Sequence, residues 1–292
     1  MKLKWIALFL SIGCIACAKD PEDPAVPDEK PDPVPVDESI PANFRDYAVK
    51  DGYQIPFYEG TTEGSYGYYL FIPENYEKAE KVYPLILMLH GSGERGSSKD
   101  NRGALELAVV HGPGKLIKEG TWNPKQEFIV VSAQTNAYSW SPETLKVFID
   151  FLTKTHKIDP ERIYMTGLSM GAYGIFDYLG RYGEESGIAA AVPICGRGLL
   201  RDNYVRNVSQ VPIWVFHGES DPNVPVERAH EIVSAINSLN PKVKAKMTLF
   251  PFIGHDSWTM TYDGSGMGKE NPAYDRFDQD IYTWLYQYTV PE

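Results

Sequence analysis

Short runs of apolar residues recur along the chain from about residue 60 onward and alternate with segments that show a helical spacing of apolar positions. The clearest run, residues 85–89, consists only of leucine, isoleucine and methionine. A run that is apolar at every position is typical of a strand buried on both faces of a parallel sheet. Similar runs predict strands at residues 47–57, 66–72, 126–132, 163–165, 189–194, 213–216 and 247–250.

Helical patterns lie between these strands. Ser141, Pro142 and Glu143 provide an N-cap residue, a proline at the first helical position and an acid in the first turn. Apolar residues at 145, 148, 149 and 152 then form one stripe, and residues 226–239 and 274–288 predict two later helices. The alternation predicts an α/β domain with a doubly wound, mainly parallel sheet and helices on both faces. Ligands of such sheets bind at the carboxyl ends of the strands.

The beginning of the chain has a different composition. Residues 1–16 carry lysines at positions 2 and 4 followed by an apolar run, which predicts an export signal, and the run is too short for a permanent membrane span. Cys17 follows this segment and resembles the lipid-acceptor cysteine of bacterial lipoproteins. Cys14 is the alternative acceptor, and ordinary secretion without a lipid is the alternative fate.

Residues 17–41 are rich in proline, aspartate and glutamate, which predicts a disordered, extended stalk after the lipidated cysteine. The stalk carries about −6 of the formal net charge of −11, so the folded domain at residues 42–292 is only mildly acidic. The folded domain lacks the positively charged surface that nucleic-acid binding requires, so nucleic acid is not an expected partner. We expect a lipid-anchored protein at the outer membrane or cell surface, with a periplasmic or secreted location as the alternatives.

Cysteine and histidine spacing adds little further chemistry. Cys195 is the one cysteine of the folded domain, so no internal disulfide is available to it. No histidine or cysteine cluster has the spacing of metal ligands, and we expect neither a metal nor a cofactor.

The most informative motif surrounds Ser169. It stands between Gly167 and Gly171 in a Gly-x-Ser-x-Gly pattern, directly after an apolar strand and before a helical segment. Glycines at these positions permit a tight strand-to-helix turn that exposes the serine hydroxyl, and the helix start directs N–H groups towards the bend. The context predicts that Ser169 is a nucleophile.

Two further strand ends supply the partners of such a serine. Asp221 follows the strand at 213–216, with Glu219 as the second choice of acid, and His255 follows the strand at 247–250. Imidazole titrates near neutral pH, so His255 fits a general base, oriented by the acid. The chain order of serine, acid and histidine is the order of the α/β-hydrolase triad.

The loop after residues 85–89 predicts an oxyanion hole. Its glycines allow backbone N–H groups to approach a substrate oxygen, and we expect the N–H of Ser92 to act with that of Met170. Gly93 is the alternative donor. We also expect Glu94 and Arg95 to pair and brace the loop.

Segments 89–96, 166–171, 216–221 and 255–258 together resemble the bacterial esterases related to polyhydroxybutyrate depolymerases, feruloyl esterases and dienelactone hydrolase. The resemblance spans about residues 60–288 and departs at Ala172, where relatives often carry glycine. It implies an α/β-hydrolase fold, no cofactor, and serine carboxylesterase activity. Some relatives are labelled predicted peptidases through their relation to prolyl oligopeptidases.

The substrate expectation depends on three aromatic residues near strand ends, Tyr138, Trp140 and Trp258. Their rings could face a sugar ring or a phenolic acyl group, whereas core or rim packing is the alternative. A stalked, exported esterase is placed to act on large extracellular material, and we expect deacylation of acetyl or feruloyl carbohydrate esters. A serine peptidase and a surface binding lipoprotein without catalytic activity are the other classes considered.

Overall fold

The computed structural model describes residues 54–74, 76 and 78–290. The export signal, Cys14 and Cys17, the stalk, the domain boundary at 42 and the first part of the strand at 47–57 lie outside the described residues. Among the residues that are described, no helix has the length and apolar character needed to cross a membrane.

The described domain is built on an eight-stranded sheet with the spatial order β1-β2-β4-β3-β5-β6-β7-β8. Strand β2 pairs antiparallel with β1 and with β4, and the remaining pairs are parallel. In chain order the strands are Ile55–Phe57, Gly67–Phe71, Tyr83–Leu89, Ile129–Gln134, Ile158–Leu168, Ala190–Ile194, Trp214–Gly218 and Lys246–Phe250. Each predicted strand is therefore confirmed in the described residues.

Helices cover both faces of the sheet. The α-helices, α1 to α7 in chain order, are Gly112–Lys118, Pro142–Thr155, Met170–Tyr182, Asp202–Val208, Glu227–Ser238, Trp258–Tyr262 and Ile281–Leu285. The 3-10 helices are Ser92–Glu94, Arg102–Val109 and Gly183–Ser186. The predicted cap of α2 is present, because the Ser141 side chain accepts a hydrogen bond from the Thr144 N–H.

Alternating side chains of the central strands divide the core into two layers. In β3, Leu85, Leu87 and Leu89 join the cluster that contains apolar residues of α2 to α5. Ile86 and Met88 point to the other face, where they join a second cluster with residues of α1, α6 and α7. This two-sided burial explains the continuous apolar run at 85–89 and confirms the doubly wound sheet.

The helix predicted over residues 274–288 is wrong in its first half. The N–H of Asp275 donates to the Met247 carbonyl, and its carboxylate accepts from the Met247 N–H at 2.8 Å. Residues around 275 therefore pair with the backbone of β8, an edge strand whose polar groups need partners. The Asp280 side chain then accepts from the Thr283 N–H at 2.7 Å, which caps the helix that begins at Ile281.

Candidate active site

Ser169 lies at a sharp turn between β5 and α3 with a strained backbone, φ 50° and ψ −114°. A positive φ is unusual for a residue with a side chain, and it persists here because the surroundings fix it. A Cβ atom built at Gly167 would lie 2.7 Å from the Leu89 carbonyl oxygen, and one at Gly171 would lie 2.0 Å from it. The two glycines are therefore needed for the close approach of the turn to the end of β3.

The structure brings together the three residues that the sequence singled out on separate strand ends. The Nε2 atom of His255 lies 3.0 Å from the Ser169 hydroxyl oxygen. Its Nδ1 atom lies 2.7 Å from Oδ2 of Asp221. A proton on Nδ1 donates to the carboxylate, which leaves Nε2 free to accept the serine proton.

The carboxylate of Asp221 accepts hydrogen bonds at both of its oxygens. Its side chain has no exposed surface, and Oδ1 accepts hydrogen bonds from the N–H groups of Asn223 and Val224 at 2.8 and 3.0 Å. Burial alone raises the pKa of this carboxyl, but the hydrogen bonds from His255 and the two N–H groups outweigh burial, so the pKa lies below its ordinary value. Asp221 is thus ionised at neutral pH.

His217 lies behind the same carboxylate. Its Nε2 atom is 2.9 Å from the Val224 carbonyl oxygen and 3.2 Å from Oδ2 of Asp221. Burial lowers the pKa of His217 more than the Val224 carbonyl and the Asp221 charge raise it, so the imidazole is neutral. A single Nε2–H group directed between both oxygens braces the turn that carries Asp221. The sequence offered no signal for this contact beyond the position of His217 at the end of β7.

Glu219, the alternative acid, has a different partner. Its Oε1 atom accepts a hydrogen bond from Nδ2 of Asn271 at 2.6 Å. Asp221 is therefore the acid that contacts His255.

The two expected oxyanion donors lie at adjoining backbone segments. Met170 is the first residue of α3, and the leading N–H groups of a helix have no partner within it. Ser92 begins the short helix after β3, and the contact of Gly171 with Leu89 joins this loop to the start of α3. The oxyanion role of the Ser92 and Met170 N–H groups stays a prediction.

A model of the dienelactone hydrolase family matches residues 64–289. The chain belongs to this family. The crystal structure of a thermostable esterase is 28% identical with a TM-score of 0.56, covering 81% of this chain and 63% of that one. These findings confirm the predicted resemblance and the α/β-hydrolase fold.

Two relatives have lower coverage. An uncharacterized protein of Escherichia coli, YfhR, is 24% identical over 56% of this chain and 62% of that protein. A putative alpha/beta hydrolase of Acanthamoeba polyphaga mimivirus is 27% identical over 34% of this chain and 43% of that protein. The chain therefore spans less than two thirds of the length of each of these relatives.

In this dienelactone hydrolase family member, His90 anchors the loop after β3, named here the oxyanion loop for its predicted role. Its Nδ1 atom lies 2.6 Å from the Gly91 carbonyl oxygen, and its Nε2 atom accepts a hydrogen bond from the Thr135 N–H at 3.0 Å. Burial lowers the pKa of His90 to about 4, although the hydrogen bond to the Gly91 carbonyl acts in the opposite direction. A neutral imidazole therefore ties the loop to the end of β4.

Trp140 supports the same loop and also lines a cavity beside Met170, so its expected contact with substrate stays a prediction. Its side chain is 1% exposed, and its indole N–H donates to the His90 carbonyl oxygen at 3.2 Å. The ring also packs edge to face against His90 and Tyr66. Burial of a tryptophan with a satisfied N–H is typical of a core position.

The other two aromatic residues of the sequence prediction lie on opposite sides of the site. Tyr138 is 85% exposed, and the Arg95 guanidinium lies 3.9 Å from the centre of its ring. Trp258 contacts His255 edge to face at 5.3 Å between ring centres. The predicted pairing of Glu94 with Arg95 is wrong, because Glu94 instead lies 3.6 Å from His111 Nε2.

The fold creates one group of possible metal ligands that sequence spacing did not indicate. The group consists of Cys195, Asp221 and His255. Each offers one ligand atom, and these atoms lie within 4.8 Å of one another. The imidazole and the carboxylate already bond each other, and burial raises the pKa of the Cys195 thiol, which favours the protonated form that binds metals poorly. The chemistry of this group therefore fits proton transfer better than metal binding.

Proposed function

We propose that this protein is a serine carboxylesterase that acts through a covalent acyl-enzyme. The observation that carries the proposal is the hydrogen-bonded chain from Ser169 through His255 to Asp221, with distances of 3.0 and 2.7 Å. Membership of the dienelactone hydrolase family and the 28% identity to a thermostable esterase support the same chemistry. The strained turn at Ser169, which exposes the hydroxyl, supports it further.

The proposed reaction has two halves. Ser169 Oγ attacks the ester carbonyl carbon while His255 Nε2 accepts the serine proton, and the N–H groups of Met170 and Ser92 stabilise the resulting oxyanion. His255 then returns that proton to the leaving alkoxide, which departs as an alcohol. A water molecule, deprotonated by His255, attacks the acyl-enzyme and releases the acid and free serine. Asp221 holds the imidazole in the required tautomer and stabilises its cationic form.

We further propose that the substrates are acetyl or feruloyl esters of carbohydrates outside the cell. An export signal, a lipid acceptor at Cys17 and an acidic, proline-rich stalk would place the enzyme at the outer membrane or cell surface, where polymeric material is accessible. Cys17→Ser should abolish incorporation of a radiolabelled fatty acid and release the protein from membranes. Cys14→Ser is the matched control, and release by that variant alone would move the anchor.

A substrate panel tests the activity. Purified protein is assayed with p-nitrophenyl acetate, methyl ferulate, tributyrin, acetylated xylo-oligosaccharides and a peptide p-nitroanilide. We expect hydrolysis of the aryl and carbohydrate esters, and loss of all hydrolysis in Ser169→Ala. Turnover of the anilide without the esters would indicate a peptidase, and turnover of tributyrin without the carbohydrate esters would indicate a general lipolytic esterase. Absence of any turnover would favour a binding protein.

A further inference from the structure

Two cavities are lined by immediate neighbours of the reacting residues, Trp258 beside His255 and Met170 after Ser169, and they differ in size. One lies against Trp258, on the His255 side, with a volume of about 50 Å³. The other lies against Met170 and the first turns of α3, on the Ser169 side, with a volume of about 300 Å³. The smaller volume corresponds to roughly two water molecules. Of these two cavities, the larger one, named here the α3 cavity, is the one that can receive a ring.

The α3 cavity carries one acidic and one basic side chain. Asp177 accepts a hydrogen bond from the Tyr204 hydroxyl at 3.1 Å, and the Arg197 guanidinium lies 4.8 Å from the centre of the Tyr173 ring. Within the described part of the chain, no ion pair joins Asp177 to Arg197. Each therefore keeps hydrogen-bonding capacity for a ligand, and their charges cancel, which suits a neutral ligand rich in hydroxyl groups.

We propose that the α3 cavity binds a sugar ring and that Asp177 and Arg197 determine this specificity. The inference rests on the proposed esterase function and names the position of its alcohol part. Neighbouring hydroxyl groups of a sugar can donate to the carboxylate and accept from the guanidinium. A fatty acyl chain or a phenolic ring would offer neither charged group a comparable set of hydrogen bonds while displacing the water around it, which is costly. The exposed ring of Tyr138 lines the same cavity and offers an apolar face to the sugar.

The position of the sugar determines the side on which the acyl group lies. The ester carbon must approach Ser169 Oγ with its oxygen towards Met170, so the alcohol and acyl parts extend in different directions. With the sugar in the α3 cavity, the acyl group lies outside that cavity. The inferred substrate class is therefore esters whose alcohol part is a sugar.

Variants of the two charged residues test the sugar site. Asp177→Asn retains side-chain shape, and Arg197→Gln replaces the guanidinium by a shorter neutral amide. We expect each to raise KM for acetylated xylo-oligosaccharides by roughly 10- to 100-fold, as for loss of a charged hydrogen bond. The kcat/KM ratio of these substrates to p-nitrophenyl acetate should fall at least about tenfold. Arg201→Gln is the control, because Arg201 is exposed nearby on the same loop and lies outside the cavity lining. An equal loss on both substrates, or no loss on either, would overturn the sugar site.

Failure of the sugar site leaves the serine esterase proposal standing. Hydrolysis of p-nitrophenyl acetate by the wild type and its loss in Ser169→Ala test that proposal separately, because this ester carries no sugar.

Discussion

The acid end of the hydrogen-bonded chain and the cleft in front of Ser169 are built in opposite ways. Asp221 has no exposed side-chain surface and accepts hydrogen bonds from two backbone N–H groups besides the contact with His255. Tyr138, at the mouth of the cleft, is 85% exposed and has the Arg95 guanidinium on its ring. In the proposed mechanism, the buried end would determine whether the reaction occurs, whereas the cleft would determine which ester reacts.

The largest effect is expected from removal of the reacting groups of Ser169 and His255. Ser169→Ala and His255→Ala should each lower kcat by roughly 10³- to 10⁶-fold, because the residues act as one unit. Circular dichroism and thermal unfolding should show an intact fold. A residual rate above about 1% with p-nitrophenyl acetate in either variant would contradict the triad assignment, given the usual loss.

The next largest effect distinguishes the two acids of the β7 loop. Asp221→Asn should lower kcat by roughly 10⁴-fold, because an amide favours the wrong tautomer of His255. Glu219→Gln is the matched control, since Glu219 bonds Asn271 and should affect kcat only slightly. The measurement is kcat for one aryl ester in both variants. Severe loss in Glu219→Gln together with a mild effect of Asp221→Asn would show that the acid had been assigned incorrectly.

Much of the buried end could be predicted from sequence because backbone constraints leave a local signature there. Gly167 and Gly171 are needed where the turn meets Leu89, and Ser169, Asp221 and His255 each follow an apolar run. Parallel strands bring such ends to one edge of the sheet, so the contacts follow from the topology. These are the parts of the site that the structure places as expected.

The cleft and its supports depended on neighbours distant in sequence. The indole N–H of the buried Trp140 donates to the carbonyl oxygen of His90, 50 residues earlier, and no local sequence pattern predicts that contact. The same applies to Arg197, whose place beside the α3 cavity depends on the loop after β6 and on Tyr173. The segment around Asp275 likewise pairs with the edge strand β8, which its helical pattern could not indicate.

A third prediction concerns the protonation of His90, the buried residue that supports the loop after β3. Burial lowers the pKa of His90 to about 4, so the folded state disfavours the protonated form relative to the unfolded chain. Neutral His90 therefore contributes fully to the stability of the folded state above the unfolded pKa near 6.5. This contribution is lost as pH falls towards 4, and the free energy of unfolding then decreases by at most about 3 kcal/mol. Denaturant unfolding at pH 7 and pH 4.5 measures this loss, and His90→Gln should reduce it. A stability that is flat over this range would contradict a neutral, buried His90.

The smallest expected effects compare two aromatic residues that are near neighbours in sequence. Trp140→Phe removes the indole donor to the His90 carbonyl, which should cost about 1 kcal/mol of unfolding free energy and lower kcat, because the oxyanion loop loses an anchor. Tyr138→Ala removes a ring that is 85% exposed, so the free energy of unfolding should change by less than about 0.5 kcal/mol. Its effect should instead appear as a raised KM for acetylated xylo-oligosaccharides. Equal losses of stability in the two variants would show that Tyr138 is a structural residue, and the division between a buried support and an exposed recognition surface would not hold.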